Sequence, residues 1–349
     1  MKKLLSIAML SVLAQTSSAL PLGEFAIANR GGSVTFLDYQ KESTELNVAG
    51  DLSSTSIDEP MYITPLGNSK GQRMLAFADR TQSRLSVLDG KTKKLLSQIE
   101  LSKGAFHQFS HPLVGLKVAI ATDVEKGMDL VEVSDDGKTL KKRHFSIPKN
   151  LTSGNPHDVV MDKKFAYLTV KGVQDNNSKF DVLLQVDVES LKLINMKKFS
   201  EDIHLFNPVR ANFFTVVEQE TGDLHLIRKG TMKTIQKLNV AKGVHGISGA
   251  ENGQFLFIAD INEASGSKAI HAVEVTSKGL VLLDSAALNF PTAHNVAVDD
   301  RGANFTIVVT HSGGRATQNS ILKFSKKKKT LTLEKDIRTG LNPFGLTFF

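Results

Sequence analysis

The sequence contains no cysteine, which rules out a disulfide framework and any thiolate-ligated metal site. It has no tryptophan and only three tyrosines, too few stacking platforms for a nucleic-acid face, which also wants a broad basic surface. The basic residues are dispersed, apart from Lys326 to Lys329 between the apolar runs Ile321–Phe324 and Leu331–Leu333. A charge run in that position reads as a solvated hairpin tip, so nucleic acid is excluded as a partner. No apolar stretch approaches the roughly 20 residues of a membrane span, and no membrane insertion is expected. Beyond the first nineteen residues, no segment carries a helical period over more than a few turns. Also missing are a Gly-x-Ser-x-Gly elbow, a His-Glu-x-x-His pair and a phosphate loop. Gly31-Gly32 and Gly313-Gly314 read as turns, since neither opens a helix.

What is present begins with an export signal. Lys2 and Lys3 form a basic start, Leu4 to Ala14 an apolar core too short to span a bilayer, and Ser17-Ser18-Ala19 a cleavage point. No cysteine follows that core, so a lipid anchor is not expected. Residues 1–19 are therefore set aside as a signal peptide, and 20–349 as one exported domain, periplasmic in a host with two membranes. Losing Lys2 and Lys3 lowers the formal net charge from +7 to +5. A domain of this length exceeds an ordinary single core, but an array of blades can share the burial.

The array is visible in the sequence. Short apolar strands open on Phe106-His107-Gln108-Phe109, Pro156-His157-Asp158-Val159, Ile203-His204-Leu205-Phe206, Val244-His245-Gly246-Ile247 and Ala293-His294-Asn295-Val296. Tyr62 in Met61-Tyr62-Ile63-Thr64 and Phe344 in Pro343-Phe344-Gly345-Leu346 fill the same place. From Tyr62 onward the markers lie 45, 50, 47, 41, 49 and 50 residues apart, a period typical of propeller blades. The clearest unit runs from 157 to 199: His157–Val160 starts an innermost strand, and Phe165–Val170, Val182–Val188 and Lys192–Phe199 follow. Polar turns separate them, including a long one from Gly172 to Lys179.

Six units are complete and the seventh is split. Phe25–Asn29, Val34–Tyr39 and Glu45–Val48 read as second, third and fourth strands without a first, while 342–349 reads as a first strand with nothing after it. Pairing the two removes the open edges of a linear array. The expected fold is therefore all-β, a seven-bladed β-propeller closed by the C-terminal strand on the N-terminal strands.

Closure would gather the marker side chains around one axis. In an antiparallel blade the start of the first strand and the end of the second share a face. Asn29, Arg30, Asp79, Arg80, Asp123, Lys171, Glu218, Glu220, Asp260 and His311 therefore join the histidines at one mouth. A single histidine at a strand start is an ordinary rim residue. Five in one register, out of ten in the chain, point instead to a metal site, with His107, His157, His204, His245 and His294 as candidate ligands. Asp79, Asp123 and His311 are possible additional ones. Imidazole and carboxylate suit zinc, which takes four ligands, so a subset of the ring would bind and other carboxylates would orient imidazoles. Copper is the alternative ion, although the eight methionines form no cluster suited to Cu(I). Binding is expected to weaken below about pH 6, because an imidazole must be neutral to ligate. His111, His144, His225 and His271 read as structural, with His144 beginning a fourth strand. His111-Pro112 offers an alternative register for the rim.

Two families are similar at these motifs. Pro156-His157-Asp158 and Val244-His245-Gly246 resemble the copper-binding propeller of nitrous oxide reductase. That family is much longer, with a cysteine-ligated copper domain that this chain lacks. An exported, cysteine-free, single-domain propeller with axial histidines more closely resembles the periplasmic zinc metallochaperones of the β-propeller type. That resemblance covers the whole mature chain. It implies a carrier that hands zinc to the solute-binding protein of a zinc ABC importer. One departure is that residues 20–25 lack a His-rich loading arm. The competing readings are a metal-assisted hydrolase or lactonase, with Glu218 or Asp123 as base, and a metal-free scaffold binding a protein on its outer face.

Overall fold

The computed structural model describes residues 23–39, 45–54, 57–67, 73–175, 178–200, 202–261 and 269–349; the expected export signal, residues 1–19, lies outside them. Among the described residues are seven four-stranded antiparallel sheets in a ring. The innermost strands are Pro343–Phe348, Pro60–Gly67, Ala105–Phe109, Asn155–Met161, Ile203–Phe206, Val244–Ala250 and Ala293–Asp299. They belong to blades numbered 1 to 7 below. The fold is the seven-bladed β-propeller that the repeat predicts.

Blade 1 is the composite one. Its inner strand Pro343–Phe348 pairs antiparallel with Glu24–Asn29, with Phe25 opposite Phe348 and Ile27 opposite Leu346. The amide and carbonyl of Phe349 continue the ladder to Glu24 at 3.0 and 3.3 Å. Ser33–Tyr39 and Leu46–Leu52 complete the sheet.

The packing follows from the strand period of two. In the second strand of blade 4 (Phe165–Asp175), Ala166, Leu168 and Val170 join a buried cluster with Ala119, Met128 and Leu130 of blade 3. Tyr167, pointing the other way, joins Phe214, Val216 and Ile227 of blade 5. Each middle strand is thus buried on both faces and reads as a near-continuous apolar run. The outermost strands alternate, as in Thr234–Asn239, with every second side chain exposed.

Two local expectations are corrected. In the stretch from Gly172 to Lys179 the described residues are strand and not loop. The hairpin continues through Val173 opposite Phe180 and Asp175 opposite Ser178. His144 sits inside the fourth strand of blade 3 (Leu140–Ser146), not at its start. There its Nδ1 lies 2.8 Å from the buried Asp129, an attachment to the neighbouring strand that sequence alone does not show. Lys326 to Lys329 do form a hairpin tip, tied to blade 6 by Lys326–Glu251 at 2.8 Å and Lys329–Glu274 at 2.5 Å.

The inner strands are not regular. In six blades the ladder slips at the marker: between Ala105 and Gln108, Pro156 and Val159, Val244 and Ile247, Ala293 and Val296, Pro60 and Tyr62, and opposite Ile27–Asn29. A bulge bends the strand and re-aims the extra residue, so the marker and its successor both leave strict alternation. Blade 5 is the exception, with Ile203 to Phe206 in unbroken register opposite Glu218 to Thr215.

Candidate metal centre

The seven marker side chains form a closed circle of rings. Successive centroids lie 4.3 Å apart for Tyr62–His107, 4.4 Å for His107–His157, 5.4 Å for His157–His204, 3.6 Å for His204–His245 and 4.5 Å for His245–His294. His294–Phe344 at 4.2 Å and Phe344–Tyr62 at 5.4 Å close it. Such approach requires glycine at two points. A Cβ on Gly246 would stand 1.9 Å from the carbonyl oxygen of His294, and one on Gly345 would stand 2.5 Å from the Tyr62 ring.

A residue not singled out from the sequence organises half of this circle. Asp158, buried directly after His157, accepts from the Nδ1–H of His107 at 2.5 Å, of His157 at 3.0 Å and of His204 at 3.0 Å. It also accepts the Leu205 backbone N–H at 3.1 Å. Burial pushes its carboxyl upward, but the three imidazoles outweigh this and hold it well below the usual carboxylate range. In the other half, His245 Nδ1 donates to Gln219 Oε1 at 2.5 Å. The Asn295 amide nitrogen stands 2.6 Å from His294 Nδ1, and 3.2 Å from both the Tyr62 hydroxyl and the Phe344 carbonyl.

The Nδ1 atom of all five imidazoles is therefore engaged by a carboxylate or an amide, which fixes ring orientation as supporting groups do around metal-ligating histidines; at His294 the Asn295 N–H points at Nδ1 and leaves the proton on Nε2. For His107, His157, His204 and His245 the Nδ1–H is donated, leaving the lone pair on Nε2. The Nε2 atoms of His245 and His294 are 3.2 Å apart. Two nitrogens on one tetrahedral zinc stand about 3.3 Å apart, given zinc–nitrogen bonds of 2.0–2.1 Å. His107, His157 and Asp158 also place donor atoms within 4.8 Å of one another. This donor set, neutral imidazole with one carboxylate, fits a divalent transition ion.

Burial lowers the pKa of His107, His157, His245 and His294 below the ordinary imidazole value, and neighbouring cationic groups deepen the shift. The Asp158 charge opposes it but does not prevail. These four rings therefore stay neutral to lower pH than a free imidazole does.

The three additional candidates are not brought to the circle. Asp79 accepts backbone N–H groups of Asp58 at 2.7 Å, Glu59 at 3.0 Å and Gln82 at 3.0 Å, so it secures the entry to blade 2. Asp123 pairs with Arg80 at 2.7 Å across blades 2 and 3. His311 places Nδ1 2.9 Å from the Pro291 carbonyl and Nε2 2.9 Å from Ser320 Oγ. Asp79 and His311 end second strands and Asp123 directly follows one, one layer out from the axis, where strand ends meet inter-blade linkers. Glu218 is likewise held there by His225 at 2.7 Å and by Ser200. These bonds outweigh burial and bring its carboxyl to about 2. With Asp223 it makes a second acid–histidine group, but Lys237 already neutralises Asp223 at 2.7 Å. His111 turns its Nδ1 toward the Leu113 N–H at 3.1 Å and lies away from the circle.

Beyond the circle, along the inner strands, is a cavity of about 540 Å³. Tyr62, His107, Asp158, His204 and His245 border it on the axial side, and Arg210 and His111 are among its other lining residues. Nothing in the sequence pattern signals this space, because it is enclosed by residues from all seven inner strands.

No protein-family model matches the chain, and no curated protein sequence matches it. Among solved structures the fold is similar to that of the periplasmic gluconolactonase of Pseudomonas aeruginosa, with a TM-score of 0.71 and 13% identity over 93% of this chain and 98% of that one. A Lactobacillus plantarum protein superposes with a TM-score of 0.70 and 13% identity over 93% of this chain and 99% of its own. A candidate 6-phosphogluconolactonase of Bacteroides fragilis superposes at 0.70 with 14% identity over 95% and 99%. These likenesses establish the propeller. No helix among the described residues is long and apolar enough to cross a membrane.

Proposed function

We propose that this protein binds a divalent transition metal, zinc first and copper second, at the axial circle, and that the ion is its cargo in metal capture or delivery. The observation that carries this reading is the convergence of five imidazoles whose Nδ1 atoms are all engaged, three of them by the single carboxylate of Asp158. His107, His157, His204, His245 and His294 would supply the ligands, four or fewer at once. In this reading the protein is exported to the periplasm and passes zinc to the solute-binding protein of a zinc importer. The test is elemental analysis of untagged protein, followed by calorimetric titration with zinc. Stoichiometric zinc that is lost in a His245→Ala, His294→Ala double variant supports the proposal; a metal-free protein that gives no heat with zinc or copper rejects it.

A second reading, hydrolysis of a lactone, is favoured by two observations: the gluconolactonase among the similar structures and the 540 Å³ cavity that reaches Asp158. A cavity of that size suits a small molecule. His107 paired with Asp158 has the arrangement of a general base oriented by a carboxylate. Turnover of gluconolactone that survives chelation and fails in His107→Ala would favour this reading over cargo binding.

A further inference from the structure

One ligating nitrogen of the circle is already occupied by a cation of the protein itself. Lys171 stands within the long second strand of blade 4 (Phe165–Asp175), opposite Asn155 at the start of the inner strand. Its ammonium lies 2.9 Å from His204 Nε2 and forms an ion pair with Asp202. Because Asp158 takes the Nδ1–H of His204, the only lone pair of that ring is on Nε2, and Lys171 is the donor to it. Asp202 also approaches the same nitrogen at 3.4 Å. The His204 side chain is 4% exposed, whereas Asp202 is 33% exposed, so the ammonium sits between a buried imidazole and a carboxylate nearer solvent. Among the described residues of the circle, His204 is the imidazole hydrogen-bonded to an ammonium.

We propose that Lys171 is a tethered competitor for the metal: its ammonium holds the ligating nitrogen of His204 and must withdraw to Asp202 before an ion can take that nitrogen. This rests on the metal-binding reading above and adds control of release to it. An ion that uses His204 has to displace an ammonium of permanently high local concentration, which weakens net affinity and speeds departure. Asp202 acts in the opposite sense, as the resting place of the displaced ammonium. Withdrawal also couples loading to the position of Asp202, which precedes the inner strand of blade 5.

The test measures zinc affinity, by competition with a chromogenic chelator at one pH, for wild-type protein, Lys171→Met, Asp202→Asn and the double variant. Lys171→Met is expected to bind zinc at least tenfold more tightly, and Asp202→Asn several-fold more weakly. Asp202→Asn should have no effect in the Lys171→Met background, which separates a role through Lys171 from direct ligation by Asp202. As a second readout in wild-type protein, acylation of Lys171 by an amine reagent, followed by mass spectrometry, should rise on addition of zinc. Affinity of Lys171→Met within twofold of wild type, or a labelling yield that zinc leaves unchanged, overturns the proposal while the metal site stands. If neither wild type nor any variant binds zinc, the metal reading and this inference fall together. Should Lys171→Met not fold, Lys171→Gln and the labelling experiment decide the matter.

Discussion

The Nε2 atoms of His245 and His294 face each other at 3.2 Å. Between two neutral imidazoles this is a single hydrogen bond. Gln219 takes the Nδ1–H of His245 and the Asn295 amide supplies the His294 Nδ1, so His294 Nε2 carries the shared proton. The separation also matches two ligands on one ion, which His294 can join only when Asn295 turns its amide oxygen to Nδ1 and Nε2 gives up that proton. Replacing either ring with alanine should lower zinc affinity by about a hundredfold or more, beyond the tenfold to hundredfold typical of losing an orienting group. His271→Ala, in a third strand, should leave affinity unchanged. Calorimetry on the three variants checks this, and equal losses in all three would point to general destabilisation.

Asp158→Asn should weaken zinc binding by roughly ten to a hundredfold. The amide presents an N–H where three Nδ1–H groups now converge, so at least one ring must turn or change tautomer. Loss of a buried acceptor for several donors also costs on the order of 2 kcal/mol of folding free energy. Urea denaturation of the metal-free variant measures that part separately from affinity.

The pH dependence of stability follows from the buried rings. A base whose folded pKa lies below its unfolded one stays neutral in the fold while the unfolded chain takes up a proton. Stability from such a group is complete above about pH 6.5 and is lost as the pH falls, by about 1.4 kcal/mol per pH unit for each ring. His107, His157, His245 and His294 are all lowered. The melting temperature of metal-free protein should therefore be flat from pH 8 to 7 and drop steeply from 6.5 to 5. Glu218, held at about 2, adds a lower window. Its contribution is present above about pH 4.5 and lost as the pH approaches 2. Scanning calorimetry at half-unit intervals would show both, and a melting temperature constant to pH 5 contradicts the first.

Gly246→Ala should cost about 3 kcal/mol, since the new methyl group meets the His294 carbonyl at 1.9 Å and blades 6 and 7 must separate locally. Because that shift moves His294 away from His245, zinc affinity should fall as well. Gly50→Ala, which meets nothing within 4 Å, is the control for both measurements.

The parts of this molecule that repeat were legible in the chain. The spacing from Tyr62 to Phe344 disclosed seven blades, and the split unit at 25–48 and 342–349 disclosed how they close. Asp158 was not legible, because alternation places the residue after His157 in the blade core and only the slip between Pro156 and Val159 turns it toward the axis. Its trace in the sequence is that Gln108, Asp158 and Asn295 put polar side chains at that successor position, where apolar ones are expected. Asp79, Asp123 and His311 misled for the converse reason. They share the mouth with the circle, but their partners are the Asp58–Glu59 linker, Arg80 and the Pro291 carbonyl, contacts between blades that no local pattern records.

Phe344, one of the seven circle members, reaches its place only when Leu346 pairs with Ile27, roughly 320 residues away in sequence. That late, long-range event sets an order of assembly. Nascent or partly folded chain has histidines but no common centre for them, so ions encountered early find scattered imidazoles and nothing to hold them. On the metal-binding reading, an ion is taken up only by the finished ring.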